Sequence, residues 1–162
     1  MSASHDPARE LLRHTVATVA YRGGKTLRGA LASFATFQSA NNARTPGKIL
    51  AHICDLCDWA LSHASGSARW HDSAPTAWDQ DVERFFASLK KLDDYLASEA
   101  PLYAPAEKLF QGPIADALTH IGQLAMLRRL AGSPVKGENY FVADISAGRV
   151  GAEQSAPRRE FD

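Results

Sequence analysis

The chain has 162 residues, of which 45% are hydrophobic and 22% charged, with 18 Lys and Arg against 18 Asp and Glu. That length carries one domain with one sizeable core, and balanced charge argues against the concentrated basic surface that nucleic-acid binding requires. The start, MSASHDPARE, lacks the apolar stretch of a secretory signal, and no apolar run reaches membrane-spanning length, so a cytoplasmic protein with no membrane partner is expected.

Asp6-Pro7 has the form of an N-cap followed by proline at the first helical position. Leu11, Leu12, Val16, Val19 and Ala20 then recur at helical spacing, and Gly23-Gly24 should stop or bend this first helix. Helical spacing returns in a shorter piece over residues 26–37, through Leu27, Ala30, Leu31, Phe34 and Phe37. Asn41 to Arg44 reads as a polar connection. Thr45-Pro46 repeats the cap signal, and a second helix is expected from Pro46 to about Ala64, ended by Ser65-Gly66. Residues 67–75 form a loop carrying Trp70 and His71. Thr76 is placed to cap a third helix with Trp78, Val82, Phe85, Phe86, Leu89, Leu92, Tyr95 and Leu96 on its buried stripe.

Residues 105–110 allow one more helical turn, which Gly112-Pro113 should interrupt before a fourth long helix begins. That helix places Ile114, Leu118, Ile121, Leu124, Ala125 and Leu127 at apolar positions. Gly132 ends it, with Arg128 and Arg129 favourably placed against the helix dipole. Tyr140, Phe141, Val142 and Ile145 are expected to pack back onto the helices. Residues 1–5 and about 150–162 read as peripheral tails, the latter polar and loosely held. Four long amphipathic helices without strand patterns imply an all-α fold, a four-helix bundle with a short irregular C-terminal extension, in one domain spanning residues 1–162.

The chemistry-bearing residues gather on two of these helices. His52 shares a stripe with Ile49, Leu56, Trp59 and His63 on the second helix, beside its most apolar face. Asp116 and His120 stand four residues apart on the last long helix, one above the other. Each has an ordinary explanation: a hydrogen-bonded core histidine, an Asp–His pair, or a first-turn carboxylate stabilised by the helix dipole. Together the three form a two-histidine, one-carboxylate set with open positions, as helical bundles build from facing helices. The set suits zinc, nickel, iron or manganese without choosing among them. Trp59, Asn139 and Tyr140 are candidates for the pocket around it.

Other patterns carry less. Cys54 and Cys57, the two cysteines of the chain, have C-x-x-C spacing inside a helix rather than at its start. They therefore read as small buried residues, not a redox pair. Gly24-Lys25-Thr26 lacks the earlier glycine and the preceding strand of a phosphate-binding loop. No G-x-S-x-G elbow is present.

The segments KILAHICDLCDWAL and THIGQLAMLRRLAG resemble the DinB-like (DinB/YfiT-type) superfamily of bacterial four-helix-bundle proteins, over most of the chain up to the turn at Gly132. The resemblance implies a divalent-metal site in which a second-helix histidine, His52, joins two ligands spaced four apart on the last helix, Asp116 and His120. The family most often has histidine where Asp116 stands. Related mycothiol-dependent isomerases use a carboxylate there. The resemblance further implies a homodimer and a small-molecule substrate. It points to a metal-dependent thiol S-transferase, a hydrolase or an isomerase, with water or a low-molecular-weight thiol activated at the ion. The competing expectations are a non-catalytic bundle for binding or assembly in a stress response, and a small-molecule binder that keeps the pocket without the chemistry.

Overall fold

In this computed structural model residues 6–161 are described, so the expected tail at residues 1–5 lies outside them. The chain is all-α: α1 (Pro7–Leu27), α2 (Pro46–Ala64), α3 (Trp78–Ala97), a single short turn α4 (Ala106–Leu109) and α5 (Ala115–Leu130). The cap signals act as written. The Ala8 N–H donates to Asp6 Oδ1 at 3.0 Å, and the Lys48 N–H to Thr45 Oγ1 at 3.4 Å. Gly66 and Gly132, at φ of 80° and 81°, follow the last turns of α2 and α5 in the left-handed conformation that glycine adopts without penalty.

Several expectations are corrected. Gly23-Gly24 neither stops nor bends α1, which runs on to Leu27. A Cβ at Gly23 would stand 2.5 Å from Phe85 Cζ, so the missing side chain is what lets a fully buried Phe85 of α3 reach the α1 backbone. Past Leu27, residues 28–37 do not form an α-helix. Arg28 is extended and Gly29 has φ of 74°, which turns the chain, leaving only the 3-10 turn Ala32–Thr36. Thr76 does not cap α3. Its N–H and hydroxyl donate to the carboxylate of Asp81 at 2.9 and 2.7 Å, so an acid inside the first turn reaches back.

Gly112-Pro113 does not interrupt the chain either. A π-helical stretch, Phe110–Ile114, carries the backbone from α4 into α5 with helical dihedrals on both sides. Proline brings no N–H to a helical ladder, and the wider turn accommodates it.

The bundle has α1 and α2 each packed against both α3 and α5. Its core holds Val16, Leu50, Ile53, Phe85, Leu89, Leu92 and Leu124, all essentially inaccessible. Arg128 does more than face a dipole. Its buried guanidinium donates to the carbonyls of Thr26 and Arg28 at 2.9 and 2.7 Å, and so satisfies the C-terminal end of α1.

The C-terminal extension is held more firmly than its polarity suggests. Glu160–Phe161 pairs antiparallel with Gly137–Glu138. Lys25 Nζ donates to Glu138 at 2.9 Å and to Glu160 at 3.0 Å, and the Tyr21 hydroxyl donates to Glu138 at 2.5 Å. Val150 is buried and Ile145 packs on the core, whereas Phe141 and Val142 face solvent instead of packing. Among the described residues no helix is long and apolar enough to cross a membrane.

Candidate metal centre

His52 follows Ile49 and precedes Leu56 and Trp59 at helical spacing, so it sits at the edge of the buried stripe of α2, with a side chain 21% exposed. The neighbouring helix α5 supplies Asp116 and His120, 48% and 12% exposed. The three side chains converge, each offering a ligand atom within 4.8 Å of the others. One Asp116 oxygen stands 3.7 Å from His52 Nε2, and the other 3.5 Å from His120 Nε2. The imidazoles meet edge-on, 4.7 Å between centroids.

These separations bear on both the ordinary reading and the metal reading. At 3.5 and 3.7 Å the carboxylate lies beyond normal hydrogen-bond length from both rings. Two ligands each ~2.1 Å from one ion at a tetrahedral angle stand about 3.4 Å apart. The spacing is compatible with a shared cation. The dipole explanation for Asp116 also falls away, because the π-helical stretch makes α5 a continuation of a helix and not a fresh N-terminus.

The surroundings favour the ligand form of each ring. His120 Nδ1 lies 2.7 Å from Gln123 Oε1. With the amide oxygen accepting, the ring proton is on Nδ1 and the Nε2 lone pair turns toward the shared point. Burial, then the neighbouring His120 and Arg44, hold the His52 pKa below its ordinary value against the pull of Asp116, which keeps the ring neutral. Trp70 packs edge-on against His52 at 5.6 Å, and Trp59 against Trp70 at 5.7 Å.

A cavity of about 370 Å³ opens beside His52, lined also by Arg44, Lys48, Asp72 and Ser73. Its loop wall is fixed from beneath. Buried Asp55 accepts from the Ser73 N–H at 2.8 Å, the Ser73 hydroxyl at 2.7 Å and Arg84 at 2.7 Å. Burial opposes the charge on Asp55, but those hydrogen bonds outweigh it and hold its carboxyl below the usual range.

Of the pocket candidates, Trp59 reaches the centre through Trp70. Asn139 and Tyr140 are not brought to it: Asn139 caps a turn by accepting from the Phe141 N–H, and Tyr140 packs on Tyr21 at 6.3 Å beneath Arg22. Cys54 and Cys57 are free and buried, and burial pushes the Cys57 thiol up to about 12, consistent with small core residues. Gln123 was missed, although its place three residues after His120 is a usable signal. Asp72, Ser73 and the Asp55 clamp depend on contacts distant in sequence and leave no local pattern. No family model, curated protein or solved structure matches the chain. Fold and site together define a helical bundle with a three-residue group able to hold a metal ion.

Proposed function

We propose that this chain is a DinB-like protein that holds a divalent metal at His52, Asp116 and His120 and acts on a small molecule, as a thiol-dependent S-transferase or an isomerase. The observation that supports it is the convergence of these three side chains from two neighbouring helices beside a cavity. His52 and His120 serve as neutral imidazole ligands and Asp116 as the anionic one. Gln123 holds the His120 ring by its far nitrogen, and Trp70 covers the outer edge of His52. A bound divalent ion supplies Lewis acidity and lowers the pKa of a group at its open positions. The cavity beside His52 leaves room for a small molecule, which favours this reading over a filled, non-catalytic bundle.

Metal analysis after purification and reloading is expected to give one divalent ion per chain, retained on gel filtration and lost in both His52→Ala and His120→Ala. Stoichiometry unchanged by either substitution overturns the site. Turnover of electrophiles with added thiols then separates an enzyme from a binder. The same reading carries a homodimer, which light scattering tests.

A further inference from the structure

The cavity beside His52 has a charge pattern that the metal ligands do not explain. Arg44 and Lys48 both line it, with Asp72 the one carboxylate among the lining residues. Arg44 lies just before the N-cap Thr45, and Lys48 lies in the first turn of α2, which holds no acidic residue. Cations at the N-terminal end of a helix oppose its dipole, so stability alone favours the opposite charge there. Among the described residues neither Arg44 nor Lys48 enters an ion pair, whereas Arg9, Arg13, Lys25, Arg84, Lys90 and Arg149 do. The two cations outnumber Asp72 and leave the cavity wall with a net positive lining.

The cavity volume suits a small molecule. Its wall is also prepared in advance. Ser73 is locked through both its N–H and its hydroxyl to Asp55, which Arg84 holds in turn, so little ordering remains for a ligand to impose. We propose that the small molecule taken by this site carries an acid group, a carboxylate or phosphate, that seats between Arg44 and Lys48 while its reacting end lies at the His52 side of the cavity. The inference rests on the metal-centre reading for the identity of the reacting end. The acid end stands on Arg44 and Lys48 alone.

Cobalt-loaded protein titrated with thiols tests it, read by the sulfur-to-cobalt charge-transfer band. 3-Mercaptopropionate and 2-mercaptoethylphosphonate are expected to bind at least about tenfold tighter than neutral 2-mercaptoethanol, as charge-assisted hydrogen bonds provide. The two anionic probes distinguish carboxylate from phosphate. The advantage should shrink with added salt. It should fall to within about twofold in the double variant Arg44→Gln/Lys48→Gln, charged and neutral thiols being compared on the same cobalt-saturated protein. Equal affinity for charged and neutral thiols, or an advantage that survives the double substitution, overturns the proposal. If cobalt gives no spectrum, the metal reading fails by itself. Metal-free protein is then titrated with succinate and with succinamide, following amide NMR shifts. Shifts at Arg44, Lys48 and Ser73 with succinate alone keep the acid site, and their absence sinks it.

Discussion

Asp116 shows how one residue's meaning depends on backbone that its neighbours in sequence conceal. Read locally, it is a carboxylate in the first turn after Gly112-Pro113, where the helix dipole accounts for it. The π-helical stretch removes that account by joining α4 to α5, and leaves a half-exposed carboxylate with an oxygen toward each of two imidazoles. Spacing made Asp116 and His120 legible as a pair because residues four apart on one helix share a face, whereas the place of His52 beside them rested on the family resemblance. The support around it was legible only in part. Gln123 is within one turn of His120, and replacing it by leucine is expected to weaken metal binding about 10–100-fold while leaving the thermal midpoint of the metal-free protein nearly unchanged. Competition with a chelator of known affinity measures the first effect and calorimetry the second. Equal metal affinity in the variant would remove Gln123 from the site.

At the scale of elements, the helices themselves were readable and the ends of two were not. Cap residues and apolar periodicity are local, and both placed α2 within its observed limits. Glycine pairs mislead because their effect has two signs. In isolation each weakens a helix by about 1 kcal/mol relative to alanine, yet at Gly23 the absent Cβ admits Phe85 from α3. The two glycines of α1 separate these effects. Gly23→Ala forces a Cβ to within 2.5 Å of the Phe85 ring and is expected to destabilise by about 1–3 kcal/mol through overpacking. Gly24→Ala meets Phe86 at an ordinary 3.5 Å and is expected to be neutral or to stabilise by up to about 1 kcal/mol. Urea unfolding of both variants checks the contrast, and a Gly23→Ala protein as stable as Gly24→Ala would refute the close-approach explanation.

For the whole molecule, the tie between the C-terminal extension and α1 is the feature that composition hid. A polar tail reads as loose because hydrophobic burial is what patterns reveal. Here the anchor is instead Lys25 with Glu138 and Glu160, residues 113 and 135 positions away. Burial disfavours the Lys25 ammonium, but hydrogen bonds to the two glutamates outweigh it and raise its pKa above the ordinary lysine value. A raised pKa means that this contribution is complete below the unfolded lysine value and is lost only as pH rises through the higher folded one. Glu138→Ala leaves the buried ammonium with half-exposed Glu160 alone. Breaking a buried pair typically costs about 3–5 kcal/mol, and the remaining glutamate places the expected loss at the lower end. Denaturation at neutral pH measures that loss. The gap between native and variant protein should narrow in strong alkali, and a gap constant across that range would mean that Lys25 carries none of it.

The edge-on contact of Trp70 with His52 also gives the centre an optical readout. A quenching ion such as copper(II) held by His52 would share that ring with the Trp70 indole, whose centre is 5.6 Å from the His52 ring centre. Trp78, packed on Phe34 in the core at 5.6 Å, is a separate emitter for internal comparison. Native emission should therefore dim in proportion to occupancy, with Trp70→Phe reducing the response to what the neighbouring Trp59 contributes and His52→Ala removing its saturable part.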